Sequence, residues 1–483
     1  LHTGGGINSP RPASQRAAAF ILTAAMLTTL TAPAFAKTWD IADGDITVKA
    51  GEAEGPNKVK QGDSDFVKDE GDTIITGTSN QNTVTIETEK KDDKVEVTLK
   101  DVNIDASSRN EAAVSVTGKG DTNIELDGDN KLQSGSGHAG LEHNKTDTSG
   151  ELTIQDNDKN GSLKAAGGQY GAGIGGAGAA NDAQVKITGG KITATGGEYG
   201  AGIGGGFKGS GDVTISGGEI HANGGNYGAG IGGGDYSSGK VTISGGEINA
   251  TGGYLGAGIG GGEKGSGDVT ITGGEITSAT GGKYGAGIGG GKEGRGDVTI
   301  EGNTEVNAAG GTGGAGIGGG YGAKNNSNST GNQITIRSNE NGSPTVNAVG
   351  GGTKKGIADI GGAGIGTGSK SDANTAITLE GKVTIKATAG KGNVAIGTNG
   401  NEQVFTGLAG GTSITRKDSD KNDIPPLPGD NVPTPSGGDT AGGGSTDGGS
   451  AGGGSTGGGS AGGDSAGGGS TGGGSTGGGS TGG

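Results

Sequence analysis

Residues 212–234 read DVTISGGEIHANGGNYGAGIGGG. Val213 and Ile215 flank Thr214, Ile220 and Ala222 flank His221, and Ala229 and Ile231 flank Gly230. Apolar residues at period two mark short, half-buried strands. Ser216-Gly217-Gly218 and Asn223-Gly224-Gly225 turn the chain between them, because glycine and asparagine accept the backbone angles that tight turns need. The stretch then repeats. The alanine of its GAGIGGG block recurs at Ala172, Ala201, Ala229, Ala257, Ala286, Ala315 and Ala363, and five of the six intervals are 28 or 29 residues, the last being 48.

A fixed period of this length signals a repeat architecture in which each unit buries its apolar face against its neighbours. Three short strands and three turns per unit describe one coil of a right-handed parallel β-helix, an all-β solenoid. The alignment predicts inward columns of Val213, Val241, Val269 and Val298, of Ile215, Ile243, Ile271 and Ile300, and of Ile231, Ile259, Ile288 and Ile317. Coils stack at the strand spacing, so about a dozen of them make a rod on the order of 60 Å long.

Composition agrees with a thin core. Of 483 residues only 27% are hydrophobic and 3% aromatic, which is lean for a broad globular interior. Of the 123 glycines, 26 lie in the last 48 residues, leaving 97 in the other 435, so glycine is built into the repeat itself. The formal charge is −16 without a basic patch, which argues against a nucleic-acid partner. There is no cysteine, which excludes disulfides and thiolate metal sites.

Arg11 and Arg16, the apolar run Ala17 to Leu30 and Ala34-Phe35-Ala36 have the order of a secretory signal peptide over 1–36, with the mature chain starting at Lys37. The apolar run is short for a bilayer span, so the chain is expected not to span a membrane. Residues 37–165 form a diverged set of coils, with strand pieces at Val84–Ile86, Val95–Leu99, Val102–Ile104, Val114–Val116, Ile124–Leu126 and Leu152–Ile154. Residues 166–423 hold the regular array and its end: KGNVAIGT at 391–398 is a last partial copy, and Val404-Phe405 caps the open coil. Residues 424–483 pass from a proline-rich stretch to a Gly/Ser/Thr linker, a disordered tail and flexible tether. A wall anchor or further C-terminal module is expected beyond it.

Three sets of residues are candidates for chemistry. Tyr170, Tyr199, Tyr227 and Tyr284 precede the glycine block in successive coils; Leu255 takes the place once, with Tyr254 beside it. Aromatic rings can lie against sugar C–H faces while the phenol hydrogen-bonds, so the five tyrosines are candidate carbohydrate contacts. A stacked ladder that stabilises a corner is the simpler reading of the same column. Glu219, Glu247 and Glu275 form a carboxylate column, begun by Lys191 and continued near Glu305. Opposed like charges repel, which calcium would relieve through oxygen ligands; a solvated face is the simpler reading. His138 and His143 bracket Glu142 without a third metal ligand. Glycines on the third strand either leave a smooth contact face or mark a corner with room only for hydrogen atoms.

The stretches TWDIADGDITV (38–48), VTLKDVNID (97–105) and NIELDGDNKLQSG (123–135), followed by the GAGIGGG array, resemble secreted carbohydrate-binding domain-containing or adhesin-like proteins of gut Firmicutes. Those are similar to a clostridial β-helix protein that binds plant cell-wall polysaccharides, and to pectate-lyase-like solenoids. The resemblance implies an exported, bacterial cell-surface protein that binds polysaccharide or host glycan. It carries over no catalytic residue. The array repeats its chemistry coil after coil, which suits binding by avidity better than a single catalytic centre. The expectation is therefore a non-enzymatic binder that requires no cofactor. A polysaccharide lyase or hydrolase on the same fold and a structural surface spacer are the alternatives.

Overall fold

The computed structural model describes residues 37–52, 55–179, 181–328, 330–352 and 361–431. The expected signal peptide and the Gly/Ser/Thr linker lie outside the described residues. The chain is a β-solenoid of parallel strands with about 11 turns and coils of about 29 residues.

Each regular coil has three strands. In the unit read above they are Gly211–Ile215, Glu219–Asn223 and Ile231–Gly232. Each pairs in parallel with its counterparts one coil before and one coil after, so the rod has three faces of stacked rungs. Val213 stacks on Val241, Ile215 on Ile243 and Ile231 on Ile259, and the register continues to Val298, Ile300 and Ile317. The expected columns are therefore real, and all are buried. With Ile220 and Ala222 of the second face they form one continuous core. Where the interval between blocks lengthens from 28 to 29 after Ala257, the second-face strand Glu275–Thr280 takes in an extra residue and its register with Glu247–Thr251 shifts there. A bulge absorbs an inserted residue without turning the rest of the strand inside out.

The third face differs from its reading as a strand spanning the glycine block. Only Ile231–Gly232 is strand. Ala229 is buried in the preceding turn, and its N–H donates to the Gly233 carbonyl at 3.0 Å, closing a small loop around Ile231. The glycines are buried, not a smooth exposed face. A Cβ on Gly230 would lie 2.6 Å from the Gly258 carbonyl of the next coil and 2.8 Å from the Thr251 amide. Gly232 has φ +130°, open to glycine alone. The corner that fits only hydrogen atoms is the one observed.

Both ends are closed. Trp39 is buried at the N-terminal end, with Nε1 donating to Asp69 at 2.8 Å, and strand Lys58–Gln61 runs antiparallel beside Ile46–Lys49. At the other end Ile396–Thr398 completes a rung on Ile365–Gly366, as the partial copy predicted. Phe405 enters the core, whereas Val404 is exposed. Arg416 is buried against Asp430 at 2.7 Å, and Asp423–Ile424 pairs antiparallel with the Arg416 strand. The cap thus reaches into residues 424–431, which the sequence reading placed in the linker. Burial works against Asp430, yet the Phe405 N–H and the Arg416 guanidinium hold its carboxyl below the usual range.

Candidate functional site

The tyrosine column forms a strip along the corner between the second and third faces. Tyr170, Tyr199 and Tyr227 stack almost parallel: centroids are 5.2 Å and then 5.0 Å apart, each pair inclined by 8°. The spacing is that of the coils, because the rings ride on rungs that the backbone has already aligned. Phe207 stands edge-on to Tyr170 and Tyr199, at 5.7 and 5.4 Å, an arrangement that places ring edges against negative ring faces. Stacking covers both faces of Tyr199. The middle of the ladder therefore presents ring edges, not a flat ring face.

Leu255 interrupts the ladder and is buried. Beyond it a second group forms. Tyr254 is 50% exposed and stands perpendicular to Tyr284 at 5.7 Å, and Tyr284 meets Tyr321 at 5.1 Å. Lys283 lies over both Tyr254 and Tyr284, with Nζ 3.0 Å from the Tyr254 hydroxyl. That contact lowers the Tyr254 phenol and raises the lysine. Tyr321 and Phe207 were not candidates from sequence. Both sit three residues after the glycine with positive φ, at Gly318 and Gly204; the period alone could have paired that position with the tyrosine column.

The carboxylate row is in register, Lys191 beside Glu219, Glu219 beside Glu247, Glu247 beside Glu275 and Glu275 beside Glu305. Glu219 is drawn to Lys191 at 2.8 Å and His221 at 2.9 Å, and the Lys191 hydrogen bond holds its carboxyl below the usual range. The row does not converge on a point. Among the described residues, the three carboxylates whose ligand atoms lie within 4.8 Å of one another are Glu125, Asp156 and Asp158, not Glu219, Glu247 and Glu275. Protein donors already occupy them: Asn157 donates to Glu125 through its N–H and its side chain, each at 2.6 Å, and Asn160 donates to Asp156 at 3.1 Å and to Asp158 at 2.9 Å.

The histidines point apart. His138 Nδ1 is 2.8 Å from buried Glu142, which raises its pKa. His143 is buried with Nδ1 2.9 Å from the Gln184 carbonyl, and burial lowers its pKa. Among the described residues no helix is long and apolar enough to cross a membrane.

Comparison with known proteins bears on the array. Residues 185–207, 213–235, 241–263, 269–292 and 298–321 each match the model of the Beta helix repeat family. No curated protein and no solved structure matches the chain. Each matched segment begins at a first-face strand and ends just past the glycine block, the coil unit deduced above. The chain is a parallel β-helix protein whose central array is similar to Beta helix repeats.

Proposed function

We propose that this solenoid is an exported, non-catalytic surface protein that binds polysaccharide or host glycan along its tyrosine strip. The observation that carries the reading is the ladder itself. Tyr170, Tyr199 and Tyr227 repeat one aromatic edge and one hydroxyl at the coil spacing, and Tyr254, Tyr284 and Tyr321 continue the strip after Leu255. A polymer with its own repeat can touch several such positions at once, so weak single contacts add by avidity. A hydrolase or lyase needs acid and base groups within reach of a substrate. The adjacent pair on the strip, Asp235 and Glu263, is 2% and 7% exposed, which keeps a glycosidic bond away from it.

The test is a glycan array probed with the full chain, with and without a calcium chelator. Binding that falls several-fold in folded Tyr199→Ala and Tyr227→Ala variants supports the reading. Unchanged binding in those variants removes the strip as the contact, and no binding to any glycan favours a surface spacer. Loss of binding on chelation would bring calcium into the account.

A further inference from the structure

The strip holds a buried acid at its centre. Beside the tyrosine column runs a second one, three residues after each positive-φ glycine: Phe207, Asp235, Glu263, Lys292 and Tyr321. The N–H of each donates to the carbonyl of a tyrosine-column residue: Phe207 to Tyr170 at 2.7 Å, and Asp235 to Tyr199, Glu263 to Tyr227, Lys292 to Leu255 and Tyr321 to Tyr284 at 2.8 Å. The two columns are thus laced together over five coils. Phe207 lies against Tyr170 and Tyr199. One coil on, Asp235 occupies the corresponding position, buried where Phe207 carries a ring.

Its neighbours compensate a charge only in part: a Tyr236 backbone hydrogen bond and the charges of Lys264 and Lys208 favour the carboxylate, but burial and Glu263 outweigh them. Asp235 is 2% exposed, and its Oδ1 has no hydrogen-bond partner among the described residues. Glu263, on the next coil, presents a like charge. Lys292 is committed to Glu263 at 2.8 Å. Lys208 and Lys264 act on Asp235 only across space; their ammonium groups lie over the rings of Phe207 and Tyr236 at 5.1 and 4.5 Å. The Tyr199 phenol, itself raised first by Glu198, also feels the Asp235 charge.

We propose that Asp235 is the positioning residue of the tyrosine ladder, buried as the neutral acid beside the column at Tyr199, so that its ionisation loosens the ladder and weakens glycan capture. Burial first, then the charge of Glu263, push the Asp235 carboxyl from 3.8 up to about 7, which puts the change close to neutral pH. An ionised carboxylate with one buried oxygen left unpaired must draw in water or swing outward, and either movement disturbs the tyrosine column to which the Asp235 backbone is bonded at Tyr199. The glycan part of this inference rests on the function proposed above; the ordering of the tyrosines does not.

The decisive measurement is the tyrosine near-UV circular dichroism of the full chain between pH 5.5 and 8.5. The wild type should lose ordered-tyrosine signal in one step centred at about pH 7. Asp235→Asn should abolish the step, and Glu263→Gln, which removes the like charge, should move it to lower pH. The histidines are common to wild type and variant, so their contribution cancels. A flat wild-type profile overturns the proposal without any variant being needed, and so does a step that survives in Asp235→Asn. In parallel, pull-down on cellulose and on insoluble xylan, or on whichever array glycan binds, should weaken about tenfold between pH 6 and pH 8, because only about a tenth of the molecules then keep the neutral acid. This pH dependence should vanish in Asp235→Asn. If no glycan binds at any pH, the function proposed above fails, while the tyrosine spectrum still decides the role of Asp235.

Discussion

The coils before Ala166 and those after it solve the same problem in different materials. In the N-terminal coils the third-face rungs run four or five residues, Ile46–Lys49, Val84–Thr88 and Val114–Gly118. They shrink to Leu141–His143 and then to Ile174–Gly175 and its two-residue successors. One register column records the change: Thr47, Thr85, Ser115, Glu142, then Gly175, Gly204 and Gly232. The early coils also have a long bent strand, Lys94–Asp105, spanning both other faces. Side chains lace their corners. Asn130 accepts from the Val102 N–H at 2.9 Å and donates to the Ser162 carbonyl at 3.1 Å, and Asp101 accepts from the Asp129 N–H at 3.0 Å.

The array does this with bare backbone. Gly224 donates to Thr251 at 2.9 Å, Gly225 to Gly200 at 3.0 Å and Gly233 to Gly260 at 2.9 Å. Buried backbone polar groups must be paired, and side chains or neighbouring coils can pair them. Backbone lacing brings coils so close that a Cβ has no place. In exchange, the side chains at the rim are released from structural work and can form the tyrosine strip.

The contrast can be broken from either side. The largest effect is expected from Gly232→Ala in the array. Gly232 has φ +130°, and a Cβ would run into the Gly260 carbonyl, a combination that should cost more than about 4 kcal/mol. A urea midpoint within error of wild type would show that the array yields more easily than its packing implies.

Next comes the buried acid. Because the folded pKa of Asp235 is raised, its stabilisation is complete below the unfolded value of 3.8 and is lost as pH rises towards about 7. Across that window the array should lose up to roughly 4 kcal/mol, the equivalent of that shift. Unfolding followed at pH 4.5 and pH 7.5, in wild type and Asp235→Asn, checks both sign and size. In the N-terminal coils, His138 runs the same way for a different reason. Its Glu142 partner raises its pKa, so the contribution is present at acid pH and is lost as pH climbs past the unfolded value of 6.5. His138→Gln should flatten that part of the profile.

A corner of the side-chain kind is expected to be cheaper to open. Asn130→Ala removes hydrogen bonds to two neighbouring strands and should cost about 1–3 kcal/mol, measured by denaturant unfolding. If it cost as much as Gly232→Ala, the two modes of lacing would be equally intolerant and the comparison would lose its point. The smallest stability change is expected from Tyr199→Ala, which leaves the backbone ladder intact; near-UV circular dichroism should show the loss of stacking while the thermal midpoint hardly moves.

Much of this was legible beforehand. A 28–29-residue period puts Val213, Ile215 and Ile231 into columns by arithmetic, and period-two alternation says which residues face inward. The tail of the array was readable too, from KGNVAIGT to Phe405. Less was visible in the N-terminal coils, where no constant period ties Asn130 or Asp101 to a corner and the side-chain hydrogen bonds that matter join residues 28 or more positions apart. The cap beyond Ile424 was hidden by its prolines, which read as linker until Arg416 and Asp430 are seen to meet.

By itself, then, the sequence determined the coil, its three faces and the identity of each column, because in a solenoid the repeat length is the register. Only the tertiary structure decided what lies between columns. It closed the glycine face against the next coil, stacked the tyrosine rings on their faces, left the carboxylate row unconverged and buried Asp235 beside the tyrosine column. The reason is geometric. Sequence spacing counts positions along and between coils, whereas exposure and partnership depend on how closely the backbones approach and which neighbouring column leans across.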